Sequence, residues 1–141
     1  MSYLLDTNVV SEWAKPRPDP GVLAWLAATD EDQLNLSVGT IAELRYGVSL
    51  LASGQRKRQL DQWLQEELLA RFAHRILPVD AAIALTWGDV RAERQRTGRP
   101  ISAMDALIAA TARIHGLALV TRNGSDFDGS LIDIVNPWIS V

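Results

Sequence analysis

The chain has 141 residues, of which 48 % are hydrophobic, and it carries a formal net charge of −3. This length and composition predict one compact domain over residues 1–141 and exclude an intrinsically disordered chain. The sequence has no cysteine and only two histidines, which excludes disulfides and thiolate metal sites and disfavours a histidine-rich zinc site.

The first half of the chain alternates between short apolar runs and longer amphipathic stretches. Asp19 and Pro20 are typical of a helix start, and Thr40 and Gly54 are expected near the start and just past the end of another helix. The predicted elements are, in chain order, a strand over 2–7, a helix over 18–30, a strand over 33–38 and helices over 39–53 and 55–73.

The second half continues the alternation. Asp80 and Ser102 are expected to cap two helices, and Gly116 to end the second of them. The predicted elements are a strand over 75–79, helices over 80–98 and 102–116, and strands over 117–121 and 130–135. Strands that alternate with helices predict an α/β fold with a mostly parallel sheet covered by helices on both faces.

No secretory signal peptide is predicted, because no basic segment precedes the short N-terminal apolar run. No apolar stretch approaches the roughly 18 residues that a membrane helix requires. Together with the absence of cysteine, these features predict a cytoplasmic protein without a membrane partner.

Four acidic residues fall at element junctions that map to the carboxyl edge of the predicted sheet, where open parallel sheets bind ligands. They are Asp6, Glu43, Asp105 and Asp126. Each has a structural alternative. Thr40–Glu43 and Ser102–Asp105 fit capping-box patterns, Asp6 can be a turn or helix-cap residue, and Asp126 lies in a polar turn. Independent caps and turns have no reason to share one edge, so the joint pattern favours a functional site.

Converging carboxylates require a cation. Two carboxylates about 5 Å apart repel each other by about 3 kcal/mol at an effective dielectric constant near 20. Mg²⁺ and Mn²⁺ bind carboxylate oxygens and usually share their site with a substrate phosphate. The acids therefore predict metal-assisted hydrolysis of a phosphodiester.

Small polar residues flank the acids and are candidates for holding carboxylates or waters, although ordinary turn chemistry explains them equally well. They are Thr7, Asn8, Thr121 and Asn123. Arg122 and Arg45 are candidates for contact with substrate, and Arg45 can instead pair with an acid. The basic segments 56–58 and 91–99 are more typical of solvated surfaces than of a nucleic-acid track, because acids intersperse their charges.

Four segments, "LLDTNVVSE", "TIAELRYG", "MDALIAATA" and "TRNGSDF", resemble in order the four acidic segments of the PIN-domain nucleases, and more narrowly the VapC and FitB toxins of prokaryotic toxin–antitoxin pairs. The resemblance covers residues 4–127. It implies an α/β/α sandwich that binds Mg²⁺ or Mn²⁺ and cleaves RNA. It also implies a homodimer and a small VapB- or FitA-like antitoxin, whose C-terminal part blocks the site and whose N-terminal part binds operator DNA.

By the same resemblance, the acidic set is Asp6, Glu43, Asp105 and Asp126, with Asn8 as a polar neighbour. Asp128 can share or replace the role of Asp126, and the number of metal ions stays open.

The sequence is also consistent with two other functions. One is a non-catalytic dimeric module that holds an antitoxin on operator DNA. The other is a phosphatase with Asp6 as nucleophile, although its general acid would be expected where Asn8 stands.

Overall fold

The computed structural model describes residues 1–138, so the last three residues of the predicted domain, 139–141, lie outside the described range. Its strands are β1 Tyr3–Leu5, β2 Leu34–Ser37, β3 Ile76–Leu77, β4 Ala118–Val120 and β5 Ile134–Val135. They form one sheet in the order β3–β2–β1–β4–β5, and every neighbouring pair is parallel. The predicted α/β fold is confirmed, with a sheet that is parallel throughout the described residues.

Helices connect the strands and cover the sheet. They are α1 Thr7–Val10, α2 Pro20–Ala28, α3 Val38–Leu50, α4 Gln55–Gln62, α5 Leu69–Arg71, α6 Ala81–Arg96 and α7 Ala103–His115. A π-helical stretch, Trp63–Leu68, joins α4 to α5, so the helix predicted over 55–73 is present with one widened segment. Within residues 1–138, none of the helices is long and apolar enough to cross a membrane.

The sheet separates two hydrophobic cores, which confirms the predicted α/β/α sandwich. Leu4 and Leu5 of β1 are both fully buried, and they belong to different cores because successive strand residues point to opposite faces. One core contains Phe72 beside α1 and α2, and the other contains Ile108 beside α6 and β4. The central strand is therefore fixed from both sides, and the residue that follows it is held rigidly.

Three predicted helix starts are confirmed by their capping bonds. Asp19 Oδ1 accepts from the Val22 backbone N–H at 3.1 Å, and Asp80 Oδ1 accepts from the Ile83 N–H at 2.9 Å. Ser102 Oγ accepts from the backbone N–H of Asp105 at 3.1 Å. Each side chain satisfies a backbone donor that the first helical turn leaves free.

The helix predicted over 39–53 is present as α3, with Thr40 near its start as expected, but Thr40 is not the residue that caps it. Its N-cap is Ser37, whose Oγ accepts from the Gly39 N–H at 3.0 Å, and Thr40 lies inside the helix. The capping-box interpretation of Thr40–Glu43 therefore fails, and the Glu43 side chain is free to serve another purpose. Gly54, expected just past the end of α3, is instead the residue that precedes α4.

Two further local differences concern the residues directly after β1 and directly before β5. Asp6 caps the short helix α1, which the sequence pattern did not predict. The segment predicted as the strand 130–135 is a strand only at its end, β5, because its earlier residues turn at Leu131, which has a positive φ of 60°.

Candidate active site

The carboxyl ends of β2, β1 and β4 lie side by side, since these strands are adjacent and parallel. Asp6 directly follows β1, and its backbone N–H donates to the Val120 carbonyl oxygen at 2.9 Å. Ser37 ends β2 and starts α3, which carries Glu43. Thr121 directly follows β4. Sheet topology alone therefore brings two of the predicted acids and their polar neighbours to one edge.

Asp6 is a buried carboxylate with an exposed fraction of 6 %. Its Oδ2 accepts a hydrogen bond from Thr121 Oγ1 at 2.7 Å, and its Oδ1 accepts from the Thr7 backbone N–H at 2.8 Å. The pKa of Asp6 is raised to about 6, chiefly by burial and in smaller part by the negative charges of Asp105 and Glu43, against the lowering effect of these two bonds. The fold thus holds Asp6 in a place where its ionised form is disfavoured without a cation.

Glu43 is tied to the segment that follows Asp6. Thr7 Oγ1 donates to Glu43 Oε1 at 2.6 Å, which is a short bond to a charged acceptor. Gly39, one turn earlier in α3, allows α3 to approach α7 closely: a Cβ atom there would lie 2.8 Å from Met104 Sδ. The start of α3 therefore lies beside the first turn of α7, which carries Asp105. Glu43 follows one turn later in α3.

Asp105 is electrostatically coupled to the other acids. Burial raises its pKa, and the charges of Asp126 and Glu43 raise it further, whereas the hydrogen bond from Ser102 and the charge of Arg94 lower it. The 3-10 segment Gly124–Phe127, which carries the exposed Asp126, lies against α7, so the charge of Asp126 reaches Asp105.

Asp126 and Asp128 differ in their partners. Asp128 Oδ2 lies 3.4 Å from Arg99 Nη2 in an ion pair. The ion pairs found among residues 1–138 do not involve Asp126, and its charge acts on Asp105 instead. This contrast favours Asp126 as the fourth acid, although its role stays a prediction.

The polar residues predicted beside the acids form one hydrogen-bonded set. Asn8 Nδ2 lies 3.4 Å from Thr121 Oγ1, and Asn8 Oδ1 accepts from the Arg122 backbone N–H at 3.3 Å. The backbone N–H of Asn123 donates to Thr121 Oγ1 at 3.1 Å. Thr121 thereby links Asp6 to the loop that carries Asp126.

The two arginines predicted to contact substrate have other partners in the structure. Arg45 Nη1 is 2.7 Å from Asp61 Oδ1. Arg45 therefore pairs with an acid, which was the alternative to contact with substrate. The Arg122 guanidinium carbon lies 5.5 Å from the centre of the Trp138 ring. Arg122 is exposed at the edge of the acidic site, so contact with substrate remains a prediction for it.

Arg94 was assigned to a solvated helix surface by its charged neighbours, and that interpretation is wrong. Its exposed fraction is 6 %. It lies on the buried stripe of α6 with Ile83 and Val90, and the spacing of four residues from Val90 was the available signal. The charged residues on either side of Arg94 pointed to solvent more strongly than this spacing pointed to burial.

The four acids have the oxygen ligands that a hard divalent cation prefers, but they do not by themselves surround an ion. Within residues 1–138, no three Asp, Glu or His side chains are grouped closely enough to hold an ion by themselves. The four predicted acids offer only oxygen donors, and Asp6 is buried without a basic partner in the described ion pairs. Mg²⁺ commonly uses one or two carboxylates and several waters, so this arrangement suits it.

A groove of about 300 Å³ begins at Thr7 and Glu43 and is lined by α3 and α4. Lys15 and Arg56 contribute basic groups to its walls. Its apolar lining consists of Leu44, Val48, Leu51, Leu60 and Trp63. The acidic edge is therefore continuous with an apolar surface that suits a peptide better than a nucleic-acid backbone.

The ionisation of Asp6 predicts how the stability of the metal-free protein depends on pH. The pKa of Asp6 is about 6 in the folded protein and 3.8 in the unfolded chain, so the folded state holds its proton more tightly. Protonated Asp6 therefore stabilises the fold fully below about pH 4, and this stabilisation is lost as the pH rises through about 6. The pKa of Asp105 is also raised, so Asp105 adds to the same loss of stability with rising pH. The pKa values of Glu12 and Glu31 are lowered, so their contributions are lost only in acid. From about pH 5 to about pH 8, the free energy of unfolding should fall by about 1 to 2 kcal/mol.

Denaturant unfolding in a chelator at several pH values measures this change. Asp6→Asn should remove most of it, because the amide does not titrate. A wild-type profile that rises over the same range, or one that Asp6→Asn leaves unchanged, would contradict the assignment of the titration to Asp6.

The fold and the site together define an α/β/α sandwich with acidic residues at the carboxyl edge of its parallel sheet. The chain belongs to the PIN domain family, whose model matches residues 3–129. It is 42 % identical over 135 residues to the toxin FitB of Neisseria gonorrhoeae, covering 96 % of this chain and 97 % of that protein. It is 41 % identical over 135 residues to a VapC ribonuclease of Sinorhizobium fredii, covering 96 % of each.

Solved structures agree with these relatives. The structure of FitAB bound to a DNA fragment superposes with a TM-score of 0.91 at 39 % identity, covering 96 % of this chain and 95 % of the other. A toxin–antitoxin complex from Klebsiella pneumoniae superposes with a TM-score of 0.73 at 29 % identity, covering 96 % and 98 % of the two chains. The family resemblance found in the sequence is thereby confirmed.

Proposed function

We propose that this chain is a metal-dependent endoribonuclease and the toxin of a toxin–antitoxin pair. The observation that carries the proposal is Asp6, a buried carboxylate at the end of the central strand that is coupled to two further acids and has no basic partner among the described ion pairs. The similarity to a toxin and to a VapC ribonuclease over nearly the whole chain supports the same activity.

In this proposal Asp6, Glu43, Asp105 and Asp126 hold Mg²⁺ or Mn²⁺. When bound, the ion supplies a Lewis acid for the phosphoryl oxygen and lowers the pKa of an attacking water. Thr121 and the Thr7 backbone N–H fix the Asp6 carboxylate, and the Thr7 hydroxyl fixes Glu43. These bonds set the orientation of the acids before substrate arrives, which lowers the reorganisation that the reaction requires.

The reaction is hydrolysis of an RNA phosphodiester. Water attacks phosphorus in line with the leaving 3′ oxygen and leaves 5′-phosphate and 3′-hydroxyl ends. The acids are anionic, so the RNA backbone approaches only where a cation or an exposed basic group such as Arg122 offsets their charge.

The proposed partner is a VapB- or FitA-like antitoxin. An amphipathic C-terminal segment of it would lie in the apolar groove, with one end beside Glu43, and exclude RNA from the acids. Its N-terminal part would bind operator DNA, as the solved FitAB complex with DNA suggests by analogy. Homodimerisation is also proposed, and the exposed Val79 lines an apolar surface with Trp87 and Leu107 that is available for it.

Purified protein, freed of antitoxin, should cleave RNA with Mn²⁺ or Mg²⁺ and lose this activity with a chelator. Asp105→Asn is the control, because it removes one anionic ligand with little change in volume. The wild type should cleave at least about 100-fold faster than this variant.

Equal cleavage by both proteins would identify a contaminating nuclease. If the wild-type protein neither binds Mn²⁺ nor arrests growth when produced without antitoxin, the non-catalytic module is correct instead. A phosphatase would be covalently labelled at Asp6 by a phosphate analogue, and the amide of Asn8 in place of an acid makes this outcome unexpected.

A further inference from the structure

We propose that Arg94 is a positioning residue that clamps the loop carrying Asp126 to the segment that leads into Asp105. The proposal rests on the proposed function for its consequence in catalysis, but the clamp itself is a property of the metal-free fold.

The clamp consists of one guanidinium shared between two chain segments. Arg94 Nε donates to the Arg99 carbonyl oxygen at 2.7 Å, and Arg94 Nη1 donates to the Asp126 carbonyl oxygen at 2.9 Å. Nη1 also lies 3.4 Å from Ser130 Oγ. Arg99 begins the short connection to Ser102, which caps α7 at Asp105. The backbone positions of the two acids are thus set from one side chain.

The same two segments are also joined by the ion pair between Arg99 and Asp128, whose side chains are both exposed, so this link is weak. The Arg94 carbonyl oxygen accepts from the Arg99 backbone N–H at 2.9 Å, so Arg94 holds Arg99 through both its main chain and its side chain. The loop 123–130 is closed by its own local backbone bonds, and Phe127 is its buried apolar anchor. Without Arg94, the exposed Arg99–Asp128 pair and the buried Phe127 would be left to hold this loop beside α7.

An arginine at this buried position is expected only if its hydrogen bonds offset the cost of burying its charge. Its neighbours on the buried stripe of α6, Ile83 and Val90, are apolar, and removing a guanidinium from water costs several kcal/mol. The ion pairs found in the described residues do not include Arg94. Its planar fork matches two carbonyl oxygens at once, which an apolar residue or a lysine does not do.

The test compares Arg94→Met with two matched controls in α6. Arg96→Met removes an arginine of the same helix whose side chain is 72 % exposed and paired with Glu93. Val90→Ala weakens the same core from one turn away and keeps every hydrogen bond of the Arg94 guanidinium. Amide hydrogen exchange of residues 123–130 is measured in chelator, and Mn²⁺ affinity is measured by calorimetry, both well below the melting temperature of each variant.

Arg94→Met should accelerate exchange in residues 123–130 by about 10-fold or more and weaken Mn²⁺ binding by about 10- to 100-fold. Arg96→Met and Val90→Ala should leave both values near those of the wild type. Arg94→Lys keeps the charge but not the fork, so it should give intermediate values, and it replaces Arg94→Met if that variant does not fold.

Equal effects of Arg94→Met and Val90→Ala on the two readouts would show that Arg94 acts only through global stability, and would overturn the proposal. Unchanged exchange in residues 123–130 would overturn it as well. If the wild type fails to bind Mn²⁺ while Arg94→Met still accelerates exchange selectively, the proposed function fails and the clamp stands.

Discussion

Asp6→Asn is expected to abolish RNA cleavage and, at the same time, to stabilise the metal-free protein. The amide keeps an oxygen for the capping bond from the Thr7 N–H, and it removes the buried charge that Asp105 and Glu43 oppose. At about pH 8 the free energy of unfolding should rise by about 1 to 3 kcal/mol. Cleavage should fall by about 100-fold or more, because the amide is a poor ligand for a hard cation.

The control is Asp80→Asn. Asp80 caps α6 by accepting a backbone N–H, as Asp6 does for α1, but it is exposed and remains outside the acidic site. Its substitution should leave cleavage unchanged and should not stabilise the protein. If the two variants behave alike in both assays, Asp6 is only a helix cap and the metal-centre assignment is wrong.

Asp126→Asn is expected to reduce cleavage by about 100-fold, whereas Asp128→Asn should reduce it by less than about 3-fold. The two acids are two residues apart in the same exposed loop, but Asp126 acts electrostatically on Asp105 and Asp128 pairs with Arg99. Asp128 is therefore engaged by a cation of the protein. Loss of that exposed pair should change the free energy of unfolding by less than about 1 kcal/mol.

Initial cleavage rates at saturating Mn²⁺, with melting temperatures measured on the same samples, separate these outcomes. The reverse ranking, with Asp128→Asn inactive and Asp126→Asn active, would move the fourth acid to Asp128. Equal, small effects of both would reduce the site to three acids.

The order of strands and helices was predictable because each element carries a local signal. Asp19, Asp80 and Ser102 satisfy the first turns of their helices, and this chemistry needs no tertiary contact. The start of α3 was predicted to within one residue, but its cap was not, because Ser37 and Thr40 are both acceptable caps by type and only the end of β2 decides between them. The helix α1 is one turn long, too short for periodicity to detect.

The acidic site was only partly predictable from the sequence. The positions of Asp6 and Glu43 follow from parallel strands, whose carboxyl ends share an edge. The approach of Asp105 depends on the close packing of α3 on α7 at Gly39, which is a tertiary contact without a local signature. The burial of Arg94 was missed because the charges around it pointed to a solvated surface, although its spacing from Val90 indicated the buried stripe of α6. Of its two carbonyl acceptors, the one on Asp126 comes from a distant part of the chain and has no local signal.

Calorimetric titration of Mn²⁺ into the wild-type protein, Asp6→Asn and Asp105→Asn tests the central claim, a cation site made by these carboxylates, most directly. Binding should be saturable in the wild type and weakened by at least about 10-fold in each variant, with the variants remaining folded. Binding of equal strength in all three proteins, or none in the wild type, would contradict the account.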